Sequence, residues 1–437
     1  MPRPRRSAPR PRSTAPDPEV GREVELEIGP VAHGGHCVAR LDGRVVFVRH
    51  TLPGERVRAR VTETGSRFWR ADAVEVLDAS ADRVPSAWPE AGPGGVGGGE
   101  LAHVALPAQR RWKAAVVAEQ LTRLARIDRD VEVEAVPGDE GRGGLGYRTR
   151  IDLVADADGR AGMRRFRSHD VVPLDGMPLA TETVAALADA EDVWTRRWQP
   201  GARLELAAPA DGADPVLLVD DVPWRRGRGD TRPNARRAVT ETVRAGGAEH
   251  RYRVAADGFW QVHRAAPELL AGAVLDAVGD APGHADGATV LDLYSGAGLF
   301  TVPLAAAVGA SGRVVAVEGD DRAVKDARRN AHDLPQVELH LGAVDQVLTG
   351  GDAGGAPVGD GADIVVLDPP RVGAGRAVVD AIAARGPRRV VYVACDPAAL
   401  ARDIAYLAGH GYELTGLRAF DLFPMTHHVE CVAVLDR

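Results

Sequence analysis

A thiol at the end of a predicted strand is the side chain best placed for covalent chemistry in this sequence. Residues 389–394 are apolar enough to form a β-strand, Cys395 follows, and Asp396-Pro397 predicts a turn into a helix. Cys395 would then lie at the C-terminal end of a strand, where α/β folds bind their ligands. Because a lone cysteine is about as often a small buried packing residue, its role depends on the other segments.

Two further segments are typical of a nucleotide site. Residues 294–298, Tyr-Ser-Gly-Ala-Gly, form a predicted strand-to-helix turn in which Gly296 and Gly298 let a ligand approach the backbone. Glu318 ends the next predicted strand and could accept hydrogen bonds from ribose hydroxyls. Dinucleotide enzymes favour a third glycine where this chain has Thr301. The pattern favours a nucleoside without a pyrophosphate, namely S-adenosylmethionine.

These segments belong to a strand–helix pattern that begins near residue 251. Each of four apolar stretches is predicted to form a strand that leads into a helix or a turn: residues 290–305, 314–331, 362–375 and 389–404. Alternating strands and helices predict a parallel, doubly wound, Rossmann-like sheet with its ligands at the C-terminal strand ends.

The N-terminal part of the chain has a different pattern. Within residues 21–78, the segments 24–29, 37–41, 44–50 and 55–64 alternate apolar and polar residues, which predicts a small OB-like β-barrel. The barrel carries many arginines and three aromatic residues that could form a basic stacking surface for RNA; the alternative is an ordinary solvated exterior. These residues are Arg40, Arg44, Arg49, Arg56, Arg58, Arg60, Arg67, Arg70, Phe47, Phe68 and Trp69.

The middle of the chain is predicted to be mixed α/β. Residues 85–99 have the composition of a loop, and residues 100–127 have helical periodicity. Segments 146–156 and 160–174 resemble the two strands of a hairpin. Arginines alternate with apolar residues there, which predicts either a basic RNA track or an ordinary charged face. They are Arg148, Arg150, Arg164, Arg165 and Arg167.

Composition sets the broad class of the protein. The chain has 437 residues, a formal net charge of −8 and three cysteines, which is too few for a disulfide framework. We therefore expect a reducing, cytoplasmic compartment, no membrane span and, by default, a monomer. Residues 1–17 hold a basic, proline-rich stretch that is either a disordered tail without a specific role or an arm that adds attraction for phosphates.

Taken together, the segments resemble the uracil-C5 RNA methyltransferases, which join an N-terminal TRAM domain to a class I methyltransferase domain. The resemblance covers about residues 21–437 and is specific in roughly the last 180. It is carried by GFWQVH (258–263), LDLYSGAG (291–298), DPPRVG (368–373), YVACDPAALARD (392–403) and HHVECVAVL (427–435). With the basic disordered tail (1–17) inferred from composition, the chain is expected to have four regions. The resemblance implies the other three: an OB-like TRAM RNA-binding barrel (18–80), a central α/β domain (81–250) whose helix could pack on the catalytic domain, and the methyltransferase domain (251–437).

The resemblance also implies a mechanism that makes 5-methyluridine. Cys395 takes the role of the nucleophile that adds to carbon 6 of uracil, and Glu430 that of the base that removes the carbon-5 proton. Asp368 and Gln261 would lie between the methyl donor and the target base. The donor would contact Tyr294, Gly296, Gly298 and Glu318 as well. Because carbon 6 is hidden in a stacked base, the target must be flipped out or lie in a loop, and Phe259, Pro369 and Pro370 could line its pocket.

The sequence departs from the family at an iron–sulfur site. Many members hold a cluster on four cysteines, and the matching positions here are Trp88, Val96, Gly99 and Met177, none of which supplies a thiolate. We predict no cluster and no other metal. Leu299 replaces an asparagine that many members have in the donor loop, the turn that begins at Tyr294 and would contact the methyl donor.

Alternatives to this function remain. The target could be ribosomal RNA, which the TRAM-like barrel favours, or transfer RNA. A methyltransferase acting on exocyclic amines would need no thiol, and a non-catalytic RNA-binding protein of the same fold would need neither Cys395 nor Glu430. His427 and His428 could contact the substrate, although packed or solvated histidines are the commoner case.

Overall fold

The computed structural model describes residues 18–281, 285–350, 359 and 361–437. The predicted basic tail, residues 1–17, lies outside the described residues. The chain divides into two compact units: one runs up to Ala32 and continues from His36 to Arg83, and the other comprises His33–Gly35 and Val84–Arg437.

The first unit is a six-stranded sheet with the order β1-β5-β6-β4-β3-β2. Its strands are β1 (Glu23–Glu27), β2 (Val31–Ala32), β3 (His36–Leu41), β4 (Arg44–Arg49), β5 (Arg56–Glu63) and β6 (Phe68–Asp78). Alternate residues of β5, Val57, Ala59 and Val61, are buried, as the period-two pattern predicts. The predicted strands are confirmed, and β6 adds a long strand to them.

The arginines of this sheet form a narrower basic surface than the sequence predicts. Several pair with acids on neighbouring strands, because the strand register places opposite charges side by side: Arg60 lies opposite Glu23 and bonds it at 2.8 Å. The paired arginines are Arg56, Arg58, Arg60 and Arg70. Arg44 instead lies over the ring of Trp69, 4.5 Å from its centroid.

The second unit begins with a loop and helix α1 (Leu106–Gln120), which continues as a π-helical turn over Leu121–Ala125. The helix predicted for residues 100–127 therefore starts late. Ala105 is extended and Pro107 lies in the first turn, which proline favours, while the backbone N–H of Leu101 is donated to the carbonyl of Met425 at 2.9 Å. The short strand β7 (Val133–Glu134) follows.

The central residues form a seven-stranded antiparallel sheet with the order β10-β9-β8-β11-β12-β13-β14. Its strands are β8 (Arg150–Ala155), β9 (Ala161–Arg164), β10 (Val171–Pro173), β11 (Arg203–Ala207), β12 (Val216–Val219), β13 (Val222–Arg225) and β14 (Arg228–Gly229), with helix α2 (Glu182–Ala190). The predicted hairpin forms, but its second strand ends at Arg164. The chain then turns back as β10.

Arg150 does not belong to a basic face. Its side chain is buried, and its Nη1 donates to the carbonyls of Ala255, Ala256 and Gly258 at 3.0–3.2 Å. The alternation of arginine with apolar residues did not indicate that Arg150 faces inward. Its hydrogen bonds connect this sheet to the hairpin of β15 (Ala238–Ala245) and β16 (Ala248–Ala255).

The C-terminal residues form an eight-stranded sheet with the order β19-β18-β17-β20-β21-β23-β22-β7. Its new strands are β17 (Thr289–Leu293), β18 (Arg313–Glu318), β19 (Val337–Leu341), β20 (Ile364–Leu367), β21 (Arg389–Ala394), β22 (Glu413–Phe420) and β23 (Glu430–Asp436). Its helices are α3 (Ala266–Gly279), α4 (Thr301–Val308), α5 (Asp321–Asn330), α6 (Val344–Thr349), α7 (Gly375–Ala384) and α8 (Pro397–Ala408).

The parallel order that the sequence predicts holds from β19 to β21. Beyond β21 the sheet changes direction, because β23 pairs antiparallel with both β21 and β22. This reversal matters for the site, since it brings the start of β23 to the edge where β21 ends.

Apolar side chains cover both faces of this sheet, as a parallel sheet requires. Helix α1 joins the core through Val117, and the π-helical turn that follows it joins through Leu121. The fully buried Lys113 of α1 also forms an ion pair with Asp421 after β22. None of the helices in the described ranges combines the length and the apolar character needed to cross a membrane.

Candidate active site

A cavity of about 1850 Å³ opens at the C-terminal ends of the parallel strands. The residues that follow β17, β18, β20 and β21 all contribute to its wall, in agreement with the rule for doubly wound sheets. Seven of the eight predicted site residues lie on this wall: Gln261, Tyr294, Gly296, Glu318, Asp368, Cys395 and Glu430. The structure therefore brings together residues that are up to 169 positions apart (261 to 430) in the sequence.

Gly298 is not on this wall; it shapes the donor loop instead. Its φ is +94°, and its N–H is donated to the carbonyl of Ser295 at 2.9 Å, which closes the turn. Tyr294 also has a left-handed backbone, with φ of +63°, a conformation that costs energy for a residue with a side chain. The N–H groups of Tyr294 and Ser295 both donate to the carbonyl of Val317, which fixes the loop to the next strand.

Glu318 holds the donor loop from the end of β18. One carboxylate oxygen accepts the N–H of Gly296 at 2.8 Å, and the other accepts the N–H of Asp320 at 2.7 Å. The carboxylate is thus oriented by the backbone on both sides, and because Glu318 lines the cavity, its remaining lone pairs can accept hydrogen bonds from a ligand such as a ribose.

The loop after β20 is held from below by Asp403 of helix α8. One oxygen of Asp403 accepts the N–H groups of Ala374 and Gly375, at 2.8 and 3.2 Å, and the hydroxyl of Tyr392 at 2.8 Å. Gly373 has φ of +77°, and a Cβ atom there would come within 2.6 Å of the Asp403 carboxylate. A glycine is therefore required at this point of the DPPRVG segment.

Cys395 and Glu430 face each other across two paired strands. The register of β21 and β23 places Ala394 opposite Cys431, so Cys395 and Glu430 are the next residues along each chain at the cavity edge. Helix α8 begins directly after the cysteine, with Asp396 as its N-cap accepting the N–H of Ala399 at 2.8 Å. Cys395 is half-buried, whereas Cys37 and Cys431 are buried.

Burial raises the pKa of the Cys395 thiol and of two acids near it, Glu430 and Asp368. Burial, Glu430 and Asp368 raise the pKa of Cys395 to about 12, while Arg371 lowers it. Burial, and then the charge of Asp368, raise the pKa of Glu430 well above its usual value. Burial, Asp292 and Glu318 raise the pKa of Asp368 to about 7. The free protein thus holds a protonated thiol, which needs a proton acceptor or a nearby cation to react.

Asp292 is a buried acid that the sequence reasoning missed, and its charge raises the pKa of Asp368 on the cavity wall. It lies inside β17, fully buried, and burial raises the pKa of its carboxyl to about 7, although Thr301 donates a hydrogen bond to one of its oxygens. Its other oxygen is buried without a hydrogen-bond partner among the described residues. An acid in the middle of an apolar strand segment was the signal that could have identified it.

The cavity wall has polar groups that fit a nucleoside donor. The hydroxyl of Ser295 and the indole N–H of Trp260 both lie on the wall, buried, with no hydrogen-bond partner in the part of the chain that the structure describes. Leu299 also lines the cavity, and its carbonyl accepts the hydroxyl of Tyr252 at 3.1 Å. Together with Glu318 and the glycine turn, these groups suit S-adenosylmethionine.

The positions that match iron–sulfur ligands do not fit a cluster. Trp88, Val96 and Met177 pack in one apolar group, and Gly99 adjoins the Trp88 ring. A Cβ atom on Gly99 would lie 2.8 Å from that ring and 2.6 Å from the Cβ of Ala91. Apolar side chains therefore occupy the space, and none of the four residues offers a thiolate.

Comparison with known families matches three segments of the chain. Residues 18–74 match the TRAM domain, and residues 361–437 match the family described as tRNA (Uracil-5-)-methyltransferase. Residues 261–355 match the family described as Protein-L-isoaspartate(D-aspartate) O-methyltransferase.

Relatives match nearly the full length. A protein of Bifidobacterium longum named an uncharacterized RNA methyltransferase is 46% identical over 426 residues, covering 95% of this chain and 97% of its own. A protein of Streptomyces coelicolor with the same description is 45% identical over 453 residues, covering 95% and 93%. Among solved structures, the tRNA (uracil-54, C5)-methyltransferase of Pyrococcus abyssi, in complex with S-adenosyl-L-homocysteine, is 23% identical, covers 94% of this chain and 99% of its own, and has a TM-score of 0.65.

Proposed function

Because the chain belongs to the RNA methyltransferases of the uracil-5 family, we propose that it methylates carbon 5 of a uridine in RNA through a covalent adduct of Cys395, with S-adenosylmethionine as the methyl donor. The observation that carries the proposal is the position of Cys395, directly after β21, and of Glu430, at the start of the adjacent strand β23, on the wall of one cavity.

The first step is addition of the thiolate. Carbon 5 of uracil is too weak a nucleophile to take a methyl group unaided. When the sulfur of Cys395 bonds to carbon 6, the electrons of the 5,6 double bond move to the carbonyl oxygen at carbon 4, and the resulting enolate is nucleophilic at carbon 5. Glu430 and Asp368 disfavour the thiolate in the free protein, so a cation is needed nearby.

The second step is methyl transfer from the donor's sulfonium to carbon 5, which leaves a neutral thioether as the product. Asp368 and Gln261, both on the cavity wall, are the residues that we assign between donor and base. Phe259 is 73% exposed and lines this cavity, which suits a residue that stacks on an unpaired base; Pro369 and Pro370 line the same cavity.

The last step removes the carbon-5 proton and releases the enzyme. Glu430 takes the proton as its carboxylate, the 5,6 double bond re-forms, and the sulfur of Cys395 leaves. A raised pKa suits this role, because a carboxylate with a raised pKa binds a proton more readily than that of an ordinary glutamate. The carboxylate must form first, so we expect the rate to rise with pH up to the pKa of Glu430.

Trapping tests the proposal directly. RNA that contains 5-fluorouridine should form a stable adduct with the protein, because the fluorine at carbon 5 cannot be removed as a proton. Cys395→Ala should form no adduct and no methylated product but still bind S-adenosylmethionine. Cys431→Ala, which removes the neighbouring buried thiol, is the matched control and should still form the adduct. Methylation by the Cys395→Ala protein would refute the mechanism.

The target RNA requires a separate experiment. We propose ribosomal RNA as the substrate, with transfer RNA as the alternative that the Pyrococcus abyssi enzyme's activity supports. The two are separated by measuring 5-methyluridine in purified ribosomal and transfer RNA from cells with and without the gene. Loss from the transfer RNA fraction alone would contradict our assignment.

The remaining parts of the assignment concern organisation. We propose that the protein acts in the cytoplasm as a monomer, with an RNA-binding TRAM domain at 18–80, a central domain at 81–250 and the catalytic domain at 251–437. In support, the TRAM match ends at residue 74 and the first compact unit at Arg83.

A further inference from the structure

Four polar side chains form a connected row on the cavity wall. The carboxylate of Glu100 pairs with Nδ1 of His427 and also accepts the backbone N–H of His427 at 3.0 Å. The rings of His427 and His428 have centroids 4.1 Å apart. The row ends where Nη2 of Arg371 lies 3.2 Å from Nε2 of His428. All four side chains line the same cavity as Cys395.

The contact between Arg371 and His428 defines the state of the histidine. A guanidinium can only donate, so Nε2 of His428 must accept and the ring must be neutral, with its proton on Nδ1. Burial, then the charges of His427 and Arg371, lower the pKa of His428 to about 3; Glu100 opposes this and Lys113 adds to it. The ring is therefore an acceptor throughout the neutral range.

The neighbours of His428 hold it in place. Its backbone N–H is donated to the hydroxyl of Thr426 at 3.2 Å, and its ring meets that of Phe423 edge-on, with centroids 5.9 Å apart. Arg371, by contrast, is exposed at the tip of the loop after β20. A long arginine side chain loses much conformational freedom when it is held, so a rigid acceptor determines where its charge lies.

A metal site is the competing interpretation of the same residues. Glu100, His427 and His428 each offer a ligand atom, and these atoms lie within 4.8 Å of one another. However, Glu100 is already paired with His427, and Nε2 of His428 already accepts from Arg371, whose positive charge opposes a cation. The hydrogen bonds therefore favour a device that orients Arg371.

We propose that His428 is a positioning residue that holds the Arg371 guanidinium beside the Cys395 thiol, where its charge favours the thiolate. Three acids face this thiol from neighbouring elements: Glu430 on β23, Asp368 after β20 and Asp396 at the start of α8. Arg371 supplies the opposing charge. The purpose of the thiolate rests on the proposed function, but the positioning can be measured without RNA.

The experiment is alkylation of Cys395 by iodoacetamide in the full chain, measured by mass spectrometry from pH 7 to 10. Because only the thiolate reacts, a higher thiol pKa lowers the rate at a given pH. His428→Leu removes the acceptor and should slow alkylation about threefold to tenfold, the effect of raising the thiol pKa by roughly half to one unit. His428→Gln offers an amide oxygen to Arg371 and should restore most of the rate. His410→Leu, remote from the cavity, is the control.

A double-mutant cycle separates positioning from packing. Arg371→Met should slow alkylation as much as His428→Leu, and adding His428→Leu to Arg371→Met should change nothing further, because the histidine acts through the arginine. If the two effects multiply, or if His428→Gln is as slow as His428→Leu, the proposal is wrong. Should His428→Leu not fold, wild-type rates for both His428→Gln and Arg371→Met would overturn it.

Two other outcomes are distinguished by the same samples. Protection of Cys395 by added Zn²⁺ in the wild type, lost in His428→Gln, would replace the proposal with the metal site. Failure of the wild type to form an adduct with 5-fluorouridine RNA would reject the proposed function, while the alkylation cycle would still decide the role of His428.

Discussion

Two groups of positions in the second unit match cysteines of the family, the iron–sulfur ligands and the nucleophile, and only the second group has a cysteine in this chain. At positions 88, 96, 99 and 177 the chain has Trp, Val, Gly and Met, which fill the space with apolar contacts. At the end of β21 it has Cys395, with Glu430 opposite. The volume of a cluster can be replaced by packed side chains, whereas a nucleophile has no apolar substitute. We therefore propose that the first group, here called the apolar region, contributes mainly to stability, and that the second, here called the chemical region, carries out the reaction.

The largest expected effect is at the chemical region. Glu430→Gln keeps the size of the side chain but cannot take the carbon-5 proton, so methylation turnover should fall by about 10²–10⁴. Addition of Cys395 to carbon 6 does not need this base, so a protein–RNA adduct should accumulate even with unmodified uridine. A denaturing gel with labelled RNA measures both. Glu413→Gln, exposed on β22, is the control, and normal turnover by Glu430→Gln would remove Glu430 from the mechanism.

The second effect is at the apolar region. Trp88 is 1% exposed and lies at the centre of its cluster, so Trp88→Ala should lower the free energy of unfolding by about 3–5 kcal/mol. Thermal or urea unfolding measures the loss. Phe259→Ala, at an exposed aromatic, should leave stability nearly unchanged. If the remaining folded Trp88→Ala protein loses its adduct formation with 5-fluorouridine RNA, then this region serves chemistry as well, and the comparison fails.

A substitution at Gly99 tests whether the Trp88 ring excludes a side chain at position 99, which matches an iron–sulfur ligand position. Gly99→Ala places a Cβ against the Trp88 ring and Ala91, and should lower stability by about 1–3 kcal/mol. In a Trp88→Ala background the cost should be smaller, because one of the two close contacts is gone. Equal costs in both backgrounds, measured by urea unfolding, would show that Trp88 does not exclude a side chain at position 99.

The sequence predicted the fold class well because each level of the pattern agreed. The α/β class, the TRAM strands and the methyltransferase fold are confirmed, and the helix that follows Cys395 begins where Asp396-Pro397 predicts. Which arginines are buried was harder to predict. Arg150 follows the same alternation as its neighbours but is buried, because strand pairing determines which face of the sheet is covered.

Seven of the eight site residues that the sequence predicts lie on the wall of one cavity, but the sequence did not predict the electrostatics around them. Motifs located Cys395, Glu318 and Asp368, yet no local pattern shows that β23 runs antiparallel to β21 and so brings Glu430 to the thiol. The row of side chains from Glu100 to Arg371 joins segments 271 positions apart (100 to 371), and neither segment alone predicts it. Long-range pairing, which sequence periodicity does not encode, supplied these parts.

The smallest expected effect is on the dependence of stability on pH, and it tests whether the buried acids near the site lower the free energy of unfolding. Asp292 has a folded pKa of about 7, raised from its ordinary 3.8, so the folded state keeps a proton that the unfolded state releases. Stability must therefore fall as pH rises from about 4 to 7, and the same holds for Asp368. We expect the free energy of unfolding of the free protein to fall by on the order of 1 kcal/mol or more between pH 5 and 7.5.

Asp292→Asn should reduce this dependence of stability on pH and stabilise the protein at pH 7.5, because the amide carries no charge to bury and its oxygen can still accept a hydrogen bond from Thr301. Asp333→Asn, at an exposed acid, is the control. Urea unfolding at both pH values measures the slope, and an unchanged slope in Asp292→Asn would show that burial of Asp292 does not lower the stability of the fold.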